Sequence, residues 1–145
     1  MMRHFEDFAV GQSFASNTLT VDEAMIRDFA RQFDPQPFHL DAAAAADSFF
    51  GTLVASGWHT ASLTMRLLVE TLPIAGGVVG AGVQLTWPKP LAAGEMIRVA
   101  IEVVEIRASK SKPHLGLVKI RTTTSDSTGP VQIMMADLVA PRRPT

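Results

Sequence analysis

The second half of this chain alternates. Ile97, Val99, Ile101 and Val103 fall on one face of an extended segment, with Arg98 and Glu102 on the other. Val118 and Ile120 oppose Lys119 and Arg121 in the next segment, and Val131, Ile133 and Met135 begin a third. A period of two describes strands with one dry face and one wet face. Such a sheet cannot leave its apolar face in water and needs a covering layer. The segment from Gly57 to Leu72 is the obvious cover. Trp58, Ala61, Leu63, Met65, Leu67, Leu68, Val69 and Leu72 leave it few polar sides, and Pro73 stops it. A helix apolar nearly all round is a buried helix. The expectation is therefore a sheet curled around this one helix.

The remaining elements fit around that pair. Val78–Trp87 reads as a strand ended by Pro88 and Pro90, and Ser13–Leu19 as a short strand. The run Ser125-Asp126-Ser127-Thr128-Gly129-Pro130 is a turn between two strands. Thr20-Val21-Asp22-Glu23 has the spacing of a capping box, and Met25, Ile26, Phe29 and Phe33 recur behind it at helical spacing. That helix ends near Phe33, because Pro35 and Pro37 cannot continue it. Asp41 can cap a second short helix over Ala42–Ala46, since alanine has the best helix propensity. Helices come first and strands second, which predicts α+β rather than alternating β-α-β units. With 145 residues, no linker and no internal repeat, residues 1–145 read as one domain.

Composition removes several function classes. Thirteen basic residues against fourteen acidic ones do not steer a protein to nucleic acid or to an anionic membrane. Cysteine is absent, which excludes disulfides, thiolate-ligated metal centres and a thiol nucleophile together. Four scattered histidines without an H-E-x-x-H pattern predict no metal site, and no Walker or dinucleotide glycine loop predicts a nucleotide cofactor. No apolar run has membrane-spanning length, and Met1–Gln12 has no apolar core of a secretion signal, so the cytoplasm is the expected location.

Two polar clusters carry the chemistry. In Asp34-Pro35-Gln36-Pro37-Phe38-His39-Leu40-Asp41, two prolines restrict the backbone and set Asp34 and His39 at the ends of a rigid turn. A carboxylate and an imidazole held together can share a water, one taking a proton while the other gives one. The same residues also serve as a helix-terminating turn with a surface histidine and a capping aspartate. In Ala55-Ser56-Gly57-Trp58-His59, a glycine stands at the start of the apolar helix. Free N–H groups and the positive end of the helix dipole favour a developing oxyanion there. The alternative is that Ser56 is only an N-cap and Gly57 only a packing glycine. His59 either lines a pocket or is a helix residue near a surface or interface. His4 and His114 have no partner spacing. Arg107, Lys110, Lys112 and Arg121 read as solvated strand-end charges or as contacts for a phosphate. Trp87 and Met134 read as core or interface residues.

These clusters, with Phe50-Gly51, Leu85-Thr86-Trp87-Pro88-Lys89-Pro90-Leu91 and Gly94-Glu95, resemble the hydratase 2 motif and flanking segments of MaoC-like dehydratases. That group includes the (R)-specific enoyl-CoA hydratases. The resemblance runs from about Phe5 to Val139, with Phe33 before the aspartate in place of the usual small residue and Gln36 in place of the usual asparagine. It implies a single hot-dog fold, an antiparallel sheet wrapped around one long helix. It implies that Asp34 and His39 hold the water that adds to, or leaves from, a 2,3-enoyl thioester. It implies that the N–H of Gly57 polarises the thioester carbonyl, with Ser56, Trp58 and Phe38 around the substrate. In the (R)-hydratases a serine about two turns along the helix supports the site. Met65 stands at that place here, with Ser62 and Thr64 nearby, so the resemblance implies either a site without that supporting hydrogen bond, with activity altered in substrate range or lost, or one in which another side chain supplies it.

The expected substrate is an acyl-CoA thioester, with no cofactor and no metal. The expected assembly is a homodimer or a higher homo-oligomer, since hot-dog chains pair sheets edge to edge. Two other activities fit the same fold: a thioesterase that releases free thiol, and a non-catalytic acyl-thioester binding protein. Phe38, Phe49, Phe50 and Trp58 would narrow a tunnel and favour short acyl chains.

Overall fold

Gly57–Thr71 forms the longest helix of the chain, α4 in chain order, and the computed structural model of residues 1–145 is organised around it. Its start is set by Ser56, whose Oγ accepts from the Trp58 N–H at 3.2 Å. Leu72 and Pro73 end it. Three α-helices precede it, α1 over Glu23–Phe33, α2 over Pro37–Leu40 and α3 over Ala42–Ala46, besides a single 3-10 turn at Phe5–Asp7. Asp22 caps α1 by accepting from the Met25 N–H at 2.8 Å, in place of the capping box expected from Thr20, which is drawn into a strand and leaves Glu23 as the first helical residue. Asp41 caps α3 by accepting from the Ala43 N–H. The span expected as a rigid turn thus contains one helical turn, with Pro37 at its first position, where a missing N–H costs nothing.

The strands are β1 (Ser13–Ala15), β2 (Leu19–Thr20), β3 (Val79–Thr86), β4 (Met96–Ala108), β5 (Leu115–Asp126) and β6 (Gly129–Pro141). They form one antiparallel sheet in the order β1-β4-β5-β6-β3, with β2 also paired to β4. Ser13–Leu19, expected as one strand, is interrupted, and its two short ends pair separately with β4. The dry face of β4 is the expected set Ile97, Val99, Ile101 and Val103. These side chains join Val118 and Ile120 of β5 and Leu63, Leu67 and Leu68 of α4 in one core. Each aliphatic side chain so withdrawn from water contributes about 1.5–3 kcal/mol before entropy is set against it. This is the hot-dog arrangement, with the sheet curled over α4.

Two expectations need correction. The first concerns β6. Thr124 pairs with Gln132 while Ser125 pairs with Pro130, so Val131 is one residue too many. This bulge turns both Val131 and Gln132 inward and moves the buried set beyond it to Met134, Ala136, Leu138 and Ala140. Ile133 and Met135, expected to share a face with Val131, lie on the other side. A one-residue slip exchanges every face that follows.

The second concerns α4, which is buried on one side only. Trp58, Met65 and Val69 are exposed, and so is most of β3, the edge strand beside them. Binary pattern cannot separate an apolar face turned to the core from one left outside. No helix of the chain is long and apolar enough to cross a membrane.

Candidate active site

Asp34 and His39 come together because α1 ends and α2 begins between them. Asp34 closes α1, its N–H donating to the Ala30 carbonyl at 2.9 Å. The Gln36 carbonyl then accepts from the His39 N–H at 3.0 Å, which holds α2 on the opposite side of the Pro-Gln-Pro turn. The result places His39 Nε2 3.3 Å from Asp34 Oδ2. His39 is buried, and its Nδ1 lies 2.6 Å from the Val54 carbonyl oxygen. A carbonyl can only accept, so Nδ1 carries the hydrogen and Nε2 is the nitrogen left for proton exchange with Asp34.

The Asp34 carboxylate is held from several sides. Burial pushes its carboxyl upward, but hydrogen bonds from Gln36 and Ser56 and the charge of His39 outweigh it. The net direction is below the ordinary carboxylate value. Gln36 Nε2 donates to Oδ1 at 2.5 Å. Ser56 caps α4 through its oxygen, and its hydroxyl is near enough to Asp34 to help lower that carboxyl. Met65, at the place where the resemblance expects a serine, is on the outer face of α4 and does not line the cavity.

His39 opens on a cavity of about 480 Å³, whose walls include Phe38, Phe50, Gly57, Thr60 and Trp87. No carbonyl of the backbone accepts from the Gly57 N–H, as expected of the first residue of a helix. A Cβ at this glycine would stand 2.7 Å from Cε2 of Trp87, so glycine is required by close approach. Phe38 meets Phe50 edge to face at 5.1 Å and the His39 ring at 4.6 Å. Lys89, at the cavity's edge, is tied to Asp126 at 2.6 Å and to Thr128 of the β5–β6 turn. Burial acts upward on the Asp126 carboxyl, but Lys89 and Thr128 hold it below its ordinary value.

Of the sequence candidates, His39, Gly57 and Phe38 line this cavity, while Asp34 stands against His39 and Ser56 precedes Gly57 without either forming part of the wall. Trp58 does not line it. It is 60% exposed and lines a separate apolar groove of about 460 Å³ with Met65, Val83 and Met134. His59 corrects both of its expected places, being neither a pocket residue nor near the surface. It is buried, stacked on Phe29 at 4.7 Å, and its Nδ1 has no partner. Burial, and then the charge of His39, hold His59 below its ordinary value. Arg107, Lys110 and Lys112 lie away from the cavity in solvent, and Arg121 pairs with Glu102 at 3.1 Å. No three His, Asp or Glu side chains converge to hold a metal ion. Sequence reasoning missed Trp87, Thr60 and Val131 as cavity residues. A tryptophan directly before proline was the available signal for the first, since that dipeptide stiffens the backbone. Val131 reaches the cavity only through the bulge.

Comparison with known proteins adds a second line of observation. The family described as "MaoC like domain" matches residues 7–125. The crystal structure of a MaoC-like dehydratase from Rhodospirillum rubrum is similar with a TM-score of 0.95 at 48% identity, covering 99% of each chain. The (R)-hydratase PhaJ1 from Pseudomonas aeruginosa is similar with a TM-score of 0.80 at 27% identity, over 97% of this chain and 86% of that one. A 3-hydroxybutyryl-CoA dehydratase of Methylorubrum extorquens is 30% identical over 113 residues, 77% of this chain and 71% of that protein.

Proposed function

This chain belongs to the family of MaoC-like domains, and from that premise we propose that it is a hydro-lyase acting on acyl-CoA: it adds water to a 2-enoyl thioester or removes it from an (R)-3-hydroxyacyl thioester. The observation that carries the reading is the Asp34–His39 pair at 3.3 Å, with His39 Nδ1 committed to a carbonyl, beside a cavity that also holds the unpaired Gly57 N–H. The hydratase and dehydratase named among its relatives support the same chemistry.

The groups match the needs of the reaction. Dehydration removes a proton from Cα, gathers charge on the thioester oxygen, and protonates the departing C3 hydroxyl. Asp34 and His39 handle the two protons, and the Gly57 N–H at the start of α4 stabilises the enolate oxygen. Hydration runs the same path backwards, with a water held between carboxylate and imidazole adding at C3 while C2 takes a proton. The Val54 carbonyl holds the imidazole in one tautomer, so His39 meets each proton through Nε2.

The test is loss of enoyl absorbance when the protein is added to crotonyl-CoA, beside Asp34→Asn and His39→Ala. Loss with wild type, no release of thiol, and a fall of about 10²–10⁴-fold in both variants are the expected results. Thiol release would mark a thioesterase instead. Binding without turnover, unchanged in Asp34→Asn, would mark a carrier protein.

We also propose that the active form is a homodimer joined through β3. An eight-residue edge strand with free hydrogen-bonding groups invites pairing, and the apolar groove between Val83 of β3 and Trp58 and Met65 of α4 would be covered with it. Light scattering on size-exclusion fractions should give twice the 15.6 kDa chain mass. Val83→Lys should halve it, and a wild-type monomer would overturn the assignment.

A further inference from the structure

Between the catalytic cavity and the outer apolar groove stand two indoles. Trp87 lines the cavity and Trp58 lines the groove. Their rings meet edge to face at 5.5 Å and 82°. Trp87 is pressed on Gly57 on another side. This ring is therefore the partition between two apolar spaces of similar size.

The partition is anchored in an unusual way. Trp87 Nε1–H donates to Gln132 Oε1 at 2.9 Å. Gln132 is wholly buried, and its own Nε2 donates to Thr64 Oγ1 at 3.1 Å. Thr64 Oγ1 lies 2.6 Å from Thr124 Oγ1, and both threonines are wholly buried. A polar chain thus runs from the cavity wall through β6 and α4 to β5. A primary amide inside an apolar core is costly to leave unpaired. Swinging Trp87 away would strand the Gln132 oxygen in that core. The Val131 bulge is what brings Gln132 to this position, and Pro88 limits the backbone of Trp87 from the other side.

We propose that Trp87 is the specificity-determining wall of the acyl cavity, fixed by Gln132 as its positioning residue, and that it restricts the enzyme to short acyl chains. The inference rests on the hydro-lyase reading above. It adds the residue that sets chain length and the buried amide that holds it. A long acyl chain would need the space beyond Trp87, and a short one would not.

The experiment compares hydration of crotonyl-CoA with that of 2-dodecenoyl-CoA in wild type, Trp87→Ala, Trp87→Phe and Gln132→Leu. Wild type should favour the short substrate. Trp87→Ala should raise the long-to-short ratio of kcat/KM by about tenfold or more, chiefly through KM, since apolar pockets discriminate by about that much. Gln132→Leu should move the ratio in the same direction and less far, because the ring remains but is no longer held. Trp87→Phe keeps an aromatic wall without the N–H and should match Gln132→Leu. A general loss of structure would lower both rates and leave the ratio alone.

A second readout follows Trp87 itself, with Trp58→Phe leaving it as the single tryptophan of two. Its indole N–H signal in NMR should be protected from exchange, and Gln132→Leu should abolish that protection. An unprotected signal in the Trp58→Phe protein, or an unchanged chain-length ratio in folded Trp87→Ala, overturns the inference. Where neither substrate is turned over, the hydro-lyase reading fails by itself. Quenching of Trp87 fluorescence by butyryl-CoA and dodecanoyl-CoA then tests the wall: tighter binding of the longer ligand in Trp87→Ala, measured by calorimetry, supports it, and no change overturns it.

Discussion

His39 and His59 are buried to the same extent, 5% exposed each, and are close enough for the charge of one to act on the other. Each also has a phenyl ring beside it, but their polar surroundings differ. His39 has a carbonyl on one nitrogen and a carboxylate near the second, and it opens on a cavity. His59 has a phenyl ring against its face and no partner for Nδ1. Burial alone therefore says little about chemistry. What distinguishes the two is that His39 has somewhere to receive a proton from and somewhere to send it.

The sharpest way to test that contrast is to remove each ring in turn. His39→Gln should lower turnover of crotonyl-CoA by about 10²–10⁴-fold. His59→Phe should change it by less than about threefold, because it withdraws no proton route. Comparable losses in the two variants would break the comparison. A smaller but still large effect is expected of Gly57→Ala. The added methyl group meets the Trp87 ring at 2.7 Å, so overpacking should cost about 1–3 kcal/mol in denaturant unfolding. Activity should fall further than stability explains, because the Gly57 N–H must move with the helix start.

Acidity separates the two histidines without touching the site. The folded chain holds His59 below its ordinary value, through burial first and the charge of His39 second. As pH falls into the ordinary histidine range, the unfolded chain takes up the proton and the folded chain resists it. The stabilisation is complete above that range and is lost as pH falls toward the folded-state value. Unfolding midpoints at about pH 7.5 and about pH 5.5 should differ less in His59→Phe than in wild type. Asp34 has the same sign at a lower pH: its contribution is present above the ordinary carboxylate value and is lost as pH falls through the depressed one. The smallest effect is expected of His59→Leu at neutral pH. Removing an unpartnered buried nitrogen should leave stability unchanged or raise it by up to about 1 kcal/mol.

The parts legible from residue order are those governed by local rules. Asp41 and Ser56 cap their helices where the sequence puts them, their side chains accepting from the next turn, whereas the cap of α1 falls on Asp22 and not on Thr20, because Thr20 is taken into β2. The alternation of β4 reads directly as its dry face. Asp34 and His39 were legible as a pair because both lie on one proline-restricted stretch, and the resemblance to MaoC-like proteins supplied what the pair is for. The parts not legible depend on residues far apart in the chain. Thr124 and Gln132 must find each other before Val131 becomes a bulge, so the inward residues of β6 could not be read from its pattern. Trp87 acquires its role from Gly57, thirty positions earlier, and from Gln132, forty-five later. The outer face of α4 was misjudged because an apolar side chain looks the same in the sequence whether it faces the core or the outside.

The bulge also sets the rules for how this hairpin can vary in length. Removing a residue from the middle of β6 would exchange its inner and outer side chains from that point onward. Val131 is the exception. It has no partner of its own across the ladder, so without it Pro130 and Gln132 would still face Ser125 and Thr124 in regular succession. A chain lacking Val131 should therefore fold with its core pairing intact, and the difference should appear as extra room in the catalytic cavity. Deletion at a neighbouring position such as Met134 should instead abolish folding. Tolerance to shortening would mark one position in the strand, and that position lines the cavity beside His39.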